Sequence, residues 1–362
     1  MAMMKATKIR VVDVFSGIGG LSHGFFLEGF NIVAGIDIDE TCRYGFEENN
    51  HSRFIAKDVA QVTPRELKAL YKNCFPKVLI GCAPCTPFST LNLKRAVYSK
   101  SDEKWRSLNS FLRLVRSVRP EIVSMENVAE LADGEKFPIF KRFVRTLKRA
   151  GYRVAYSVVD SSKYGVPQRR KRLVLLASLL GPISLVGETH PYGPVTVRET
   201  IGDLPPIRDG QTSKSDIMHR ASKLSDLNKK RIMATPKDGG SATSWSRELL
   251  PKCYRKEKGQ SYRSSVYGRM KWDEPAPTMT TNCHTLGTGR FGHPTQNRAI
   301  SLREAARFQT FPDYYQFQDA GRLNSSIVAQ HIGNAVPVRL GQVIAMSIKA
   351  HVAKFGQDRI KR

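Results

Sequence analysis

Cys85 is the side chain whose neighbours best prepare it for nucleophilic chemistry. It stands in Gly81-Cys82-Ala83-Pro84-Cys85-Thr86-Pro87-Phe88-Ser89, directly after Lys77-Val78-Leu79-Ile80. A short β-prone run closed by a proline-bracketed turn puts the thiol at the carboxyl end of a strand, where open α/β sheets bind ligands. A thiolate is the strongest ordinary side-chain nucleophile. Other uses of the motif stay open at this point. Cys82-x-x-Cys85 has the spacing of a thioredoxin-like redox pair or of half a zinc site, and burial in a core is the commonest fate of a cysteine. Zinc takes about four ligands, and no second Cys-x-x-Cys or His-x-x-x-His-like pair stands in the chain.

Three further groups could share a site with that thiol. Asp13-Val14-Phe15-Ser16-Gly17-Ile18-Gly19-Gly20-Leu21 reads as a glycine-rich turn between a strand and a helix. Glycines there let backbone approach a ligand and aim amide donors at it. The spacing is not Gly-x-Gly-x-x-Gly, which disfavours a nicotinamide dinucleotide. Asp37 ends the next strand-like run, where an acid accepts hydrogen bonds from ribose hydroxyls or simply faces solvent. Glu126, in Glu126-Asn127-Val128, ends the run Glu121–Met125 and is expected beside Cys85 at the strand tips. A buried acid there is expected to have a raised pKa and to donate a proton, a structural strand-end carboxylate being the alternative. Gln168-Arg169-Arg170-Lys171-Arg172 precedes another strand and offers cations to a phosphate or a carbonyl oxygen, or forms a solvated charge run.

The elements that must position these groups alternate. Ile9–Phe15, Asn31–Ile38, Lys77–Gly81, Glu121–Met125, Arg153–Val159 and Arg172–Ala177 read as strands. Between them helices are expected over Leu21–Glu28, Glu40–Glu48, from Thr63-Pro64-Arg65-Glu66, and near Trp105–Val118 and Lys136–Ala150. Such alternation predicts an α/β fold with a parallel, doubly wound sheet. From about Leu179 to Thr295 Gly, Pro, Ser and Thr become frequent and helical periodicity fades, so a second domain is expected there. Helical patterning returns at Leu302–Phe308 and Pro337–Phe355, and the latter is expected to pack back on the first domain.

Charge points to the partner. The 362 residues hold 58 Lys+Arg against 32 Asp+Glu, a net +26. A surplus of that size implies a polyanion, because neutralising phosphates releases counterions. Lys214 to Lys271 alone carries 15 Lys/Arg and 5 Asp/Glu, interleaved with Trp245, Tyr254, Tyr262 and Tyr267, which suits a folded nucleic-acid reader. No run of about 18 apolar residues is present, so no membrane span is expected. Six unevenly spaced cysteines and the lack of a signal-like leader fit a reducing, cytoplasmic setting.

Taken in order, these elements resemble the DNA (cytosine-5)-methyltransferase family across nearly the whole chain outside Leu179–Thr278. The resemblance adds Ser301-Leu302-Arg303-Glu304-Ala305-Ala306-Arg307 with Phe311-Pro312-Asp313, and the closing Gly333-Asn334-Ala335-Val336-Pro337. It implies a Rossmann-like fold that binds S-adenosyl-L-methionine (AdoMet), releases S-adenosyl-L-homocysteine and uses no metal. The implied catalytic residues are Cys85, Glu126, Arg170 and Arg172. The implied cofactor residues are Phe15, Ser16, Gly17, Gly19, Gly20, Leu21, Asp37, Ile38, Asp58, Val59, Pro84, Asn334 and Ala335. Two positions depart from the family's habit: Thr86 replaces the usual Gln after Pro-Cys, and Ile38 replaces an aromatic residue over adenine.

The same resemblance implies that Cys85 adds to carbon 6 of a cytosine flipped out of double-stranded DNA, with methylation at carbon 5. It divides the chain into a catalytic domain (1–184 and 333–362), a smaller target-recognition domain that reads DNA (185–306) and a hinge (307–332). The basic segment Thr86–Lys104 is expected to close over the flipped base, and sequence readers are expected around 185–297, including Arg255, Arg263, Thr278-Met279-Thr280 and Arg290. A monomeric, nucleoid-associated modification enzyme of a prokaryote or phage, with a cognate restriction endonuclease, fits this reading. A methyltransferase acting on tRNA, a catalytically inactive nucleic-acid-binding relative and a Cys82/Cys85 redox protein are the alternatives.

Overall fold

The computed structural model describes residues 9–72, 74–84, 105–255 and 266–356. Cys85, the basic segment 86–104, Tyr262 and Arg263 therefore lie outside the described residues. Contacts divide the chain into two compact units: Met1–Ser161, Lys171–Glu188 and Val336–Arg362 form the first, Ser162–Arg170 and Thr189–Ala335 the second.

The first unit is built on one seven-stranded sheet. Its strands are β1 (Arg10–Val14), β2 (Asn31–Asp37), β3 (Arg53–Ala56), β4 (Lys77–Gly81), β5 (Ile122–Val128), β6 (Arg153–Asp160) and β7 (Lys171–Ser178). The spatial order is β3-β2-β1-β4-β5-β7-β6. β1 to β5 run parallel, as the alternating pattern predicts, and the continuous apolar runs of β1 and β4 are buried on both faces. The expectation of a wholly parallel sheet fails at β7, which is antiparallel to both β5 and β6. β6 and β7 are joined by 161–170 alone, too short for the dozen or more residues that a parallel crossover needs.

Winding reverses between β1 and β4, so the carboxyl ends of these two strands flank a topological switch point. The helices cover both faces. Arg106–Val118 and Pro138–Arg149 bury Phe111, Leu114, Phe143 and Leu147 in the main core, with the Phe111 and Phe143 rings 5.9 Å apart. Burying each such side chain contributes about 1.5–3 kcal/mol. Pro64–Tyr71 starts on the capping box foreseen from Thr63 and Glu66. The stretch after β2 begins as a single 3-10 turn (Glu40–Cys42) and becomes α-helical only over Arg43–Asn50.

The long helix Val338–Phe355 packs on the helix Gly20–Leu27, which follows the glycine-rich turn. The contact is backbone on backbone. A Cβ at Gly24 would lie 2.5 Å from both Val338 O and Gln342 N, and one at Gly341 would lie 2.9 Å from Leu21 O. Small residues thus set how closely the turn-bearing helix is held to its support.

The second unit has little regular structure. Its helices among the described residues are Val197–Ile201, Asp226–Ala234, Leu302–Phe308 and Ser325–Asn334. Polar side chains replace ladders. The guanidinium of Arg269, fully buried, donates to the carbonyls of Thr235, Ile232, His293 and Gln296 and to Asn297 Oδ1. Arg298 makes a buried two-pronged pair with Glu304, 2.7 Å on each arm, and this holds the Glu304 carboxyl down at about 2 against the opposing effect of its burial. Arg231 lies over the Trp245 and Tyr267 rings.

Two stretches sit differently from the expected division. Ser162–Arg170 belongs to the second unit because Gln168 Nε2 donates to Phe308 O and Gln309 Oε1 while Met279 N donates to Gln168 Oε1. The expected hinge 307–332 also belongs there, since Ser325–Asn334 is a helix packed against Leu302–Phe308. That helix is short and weakly amphipathic, but Asn324 caps it by accepting from the amides of Ser326 and Ile327.

Gly24→Ala tests the helix contact. Overpacking of this kind costs about 1–3 kcal/mol, so the urea midpoint of the variant should fall while its far-UV spectrum stays native.

Candidate active site

The carboxyl edge of β1, β4 and β5 gathers the residues with chemistry. Gly81 pairs with Met125, so Cys82 and Glu126 are the next residues on neighbouring strands. Cys82 Sγ donates to Glu126 Oε2 at 2.9 Å. On the other side Arg172 pairs directly with Val128 across the antiparallel ladder, which puts Glu126, two residues back, on the same sheet face and diagonal to Arg172. Arg172 Nε approaches Glu126 Oε1 to 3.2 Å. Glu126 is only 2% exposed: its Oε2 accepts from the Cys82 thiol just after β4, and its Oε1 lies within ion-pair reach of Arg172 on β7 without a hydrogen bond among the described residues. Sequence reasoning placed Glu126 here but missed Cys82 as its partner.

Asn127 is the second residue missed. Its buried Nδ2 donates to Ala83 O at 2.9 Å, pinning the chain two residues before Cys85. The signal was an uncharged amide next to Glu126 in an otherwise apolar strand. Pro84 follows Ala83 and is exposed.

The glycine-rich turn lies at the carboxyl end of β1, beside that of β2. Phe15 has φ 62°, a left-handed conformation uncommon outside glycine and typical of strained functional turns. Gly17 and Gly19 have φ 49° and 94°. Phe15 N and Ser16 N both donate to Ile36 O. Asp37 Oδ2 accepts from Gly17 N at 2.8 Å and its Oδ1 from Asp39 N. Burial raises its carboxyl above the usual range, and the backbone donors oppose this.

The turn fits an adenosyl donor on three observations. A Cβ on Gly17 would meet nothing within 4 Å among the described residues, so the backbone there has room for a ligand. Ser16 Oγ is buried with no hydrogen-bond partner among the described residues. The Ile38 side chain, next to Asp37, is 72% exposed, an apolar surface at a strand end that a purine can cover. Asp58 sits beyond β3, where it caps Ala60 N and accepts from Arg106 Nη2 at 2.8 Å.

Other expected residues take different places. Val59 and Leu21 bury their side chains in the core, so they can meet a ligand only through backbone. Gly20 is buried as the first residue of its helix. Arg170, expected to be catalytic, is buried in the second unit and donates to Met279 O and Ala335 O, which makes it a strut between backbone segments there. Asn334 is exposed at the end of the helix Ser325–Asn334, with Ala335 next to it, also in the second unit. Arg290 donates to the carbonyls of Gly239 and Arg269, and Arg255 to those of Leu250 and Glu248. Thr278 hydroxyl donates to Arg169 O. These side chains hold the fold of the unit expected to read DNA.

Asp13 lies behind the turn. It is buried and accepts from Ser22 Oγ at 2.6 Å. Burial above all, with the Asp37 charge adding and the Ser22 hydroxyl opposing, pushes its pKa up to about 7 from 3.8. Between these values the unfolded chain releases a proton that the folded chain keeps, so stability falls as pH rises through the window. Asp13→Asn should therefore lose less stability than the native protein between about pH 5 and about pH 8, read by urea unfolding at both. Arg172→Leu should cost about 3 kcal/mol by stranding Glu126, and adding Glu126→Gln should recover part of that loss in a double-mutant cycle.

Comparison with known proteins identifies the family. Residues 9–350 match the family of C-5 cytosine-specific DNA methylases. The chain is 50% identical over 340 residues to the Type II methylase M.HgiDII of Herpetosiphon aurantiacus, covering 94% of each. It is 32% identical over 357 residues to the Type II methyltransferase M1.BsuMI of Bacillus subtilis, covering 93% of this chain and 80% of that one. Among solved structures, a proposed DNA modification methyltransferase encoded within an E. coli prophage superposes with a TM-score of 0.71 at 22% identity, over 94% of this chain and 99% of that one. The fold is the α/β fold of AdoMet-dependent methyltransferases, and the chain belongs to the C-5 cytosine-specific DNA methylase family, enzymes that methylate cytosine in DNA.

Proposed function

We propose that the protein methylates carbon 5 of a cytosine extruded from a specific double-stranded DNA sequence, by transient covalent addition of Cys85. Carbon 5 of cytosine is a weak nucleophile, and addition of a thiolate to carbon 6 turns it into an enamine carbon. The Cys85 thiolate forms the sulfur–carbon bond while Glu126, protonated at this step, gives its proton to ring nitrogen 3 and takes it back when Cys85 leaves. Arg172 orients Glu126 from one side and Cys82 from the other. AdoMet, when bound, would be held by Phe15, Ser16, Gly17, Gly19, Asp37, Ile38 and Asp58 and would supply an electrophilic methyl group. Loss of the carbon-5 proton to a base, water in this reading, re-forms the ring double bond and expels Cys85. Extrusion of the base costs a few kcal/mol, which phosphate contacts from the basic surface offset.

The observation that supports this reading is the carboxylate of Glu126, buried at the strand edge between the Arg172 cation and the thiol of Cys82, which stands three residues before Cys85. The domain roles follow: the first unit for donor and chemistry, the second for reading DNA. A modification enzyme working beside a cognate restriction endonuclease is the role that the Type II names of its relatives support.

A duplex carrying 5-fluorocytosine should become covalently trapped only with AdoMet present and Cys85 intact. Glu126→Gln should lower the methylation rate about 10²–10⁴-fold with duplex affinity nearly unchanged. Normal turnover by Cys85→Ala, or equal losses of rate and affinity in Glu126→Gln, would overturn the mechanism.

A further inference from the structure

A second basic surface lies in the first unit, on the outer side of the sheet. The helix Pro138–Arg149 buries Ile139, Phe140, Phe143, Val144 and Leu147 and turns Lys141, Arg142, Arg145, Lys148 and Arg149 outward. It contains no acid. Lys141, Arg145, Lys148 and Arg149 line a groove of about 590 Å³ whose floor is Phe140, Val144 and Tyr156. None of the four makes an ion pair with a carboxylate among the described residues. The acids nearest in sequence are Asp133, paired with Lys136 at 3.1 Å, and exposed Glu135, both before the helix begins. Lys148 also borders a second groove of about 670 Å³, with Arg153 on its rim.

Two details suit a phosphate-bearing strand. Tyr156, on the edge strand β6, is 52% exposed, and its ring stands edge-on to Phe140 at 5.0 Å, which fixes it in place. The stem of Lys141 passes over Gly134, where a Cβ would lie within 3 Å of it, so the chain leaves room for that lysine to lie along the groove. From Lys141 to Arg149 the cations span roughly 12 Å of helix, the axial length of about three to four phosphates on one strand of B-form DNA. β6 is two strands from β5, which carries Glu126, roughly 10 Å, and Tyr156 shares the sheet face of Met125, opposite to that of Glu126, so this groove is separate from the catalytic carboxylate.

We propose that this face is a sequence-independent contact for the phosphodiester backbone of double-stranded DNA, distinct from the target-reading surface. Its role is to hold non-cognate or flanking duplex and so to keep the enzyme on long DNA between target sites. Unpaired cations on one face, no intervening acid and a fixed aromatic ring match a polyphosphate backbone, whereas a protein partner would be served by apolar or mixed charge.

The full-length protein with Lys141→Gln, Arg145→Gln, Lys148→Gln and Arg149→Gln combined tests the proposal. Affinity for a long non-cognate duplex at low salt should fall about tenfold or more, and the slope of log affinity against log salt should lessen by about two to four. The methylation rate on a saturating short duplex holding one target site should not change, which separates this surface from the catalytic reading. If the fourfold variant does not fold, Arg145→Glu alone should weaken non-cognate binding in the same salt-dependent way. An unchanged salt slope, or a loss confined to RNA or to anionic vesicles with DNA binding intact, would overturn it.

Discussion

The arrangement depends on the Glu126 carboxylate, buried and gripped from two strands. A buried carboxylate without partners is costly, and one held by a single partner can swing. Here Arg172 meets one oxygen and Cys82 the other. The grip exists because β7 runs antiparallel to β5. A parallel β7 would carry Arg172 to the opposite edge of the sheet, and the acid would face the thiol alone. One reversed strand therefore brings a cation from the start of β7 to the end of β5.

The donor side rests on backbone more than on side chains. Phe15 and Gly17 sit in left-handed conformations, the amides of Phe15 and Ser16 bind Ile36 O, and Asp37 stitches Gly17 to the end of β2. Such strain persists only when neighbours over-determine it. The helix that follows is locked on Val338–Phe355 through glycines at the closest approach, so the turn has a rigid base. Asp37 thus holds the turn as well as facing its open side.

The charge of the second unit has two uses. Many of its arginines, among them Arg269, Arg298, Arg170 and Arg290, are committed to carbonyls or carboxylates and take the place of strands and helices. A positive total therefore overstates what is available to a polyanion, and position decides. The first unit shows the converse on Pro138–Arg149, where cations stand outward with no carboxylate partner among the described residues.

Much of this was legible in the residues. Apolar runs and capping signals placed six of the seven strands (the short Arg53–Ala56 was missed), most helices and the carboxyl-edge location of Glu126 and the glycine-rich turn, because those depend on local pattern. Helices Asp226–Ala234 and Ser325–Asn334 escaped, being short and weakly amphipathic, with stability drawn from packing. Direction and partner escaped as well. Nothing in Lys171–Ser178 states which way the strand will pair, and nothing in Arg170 or Arg172 distinguishes a strut from a clamp two residues away. The sequence by itself determined which side chains sit at strand ends and what chemistry they carry. Only the tertiary structure decided which of them meet, because pairing direction and long-range hydrogen bonds join segments far apart in the chain, and no local propensity encodes them.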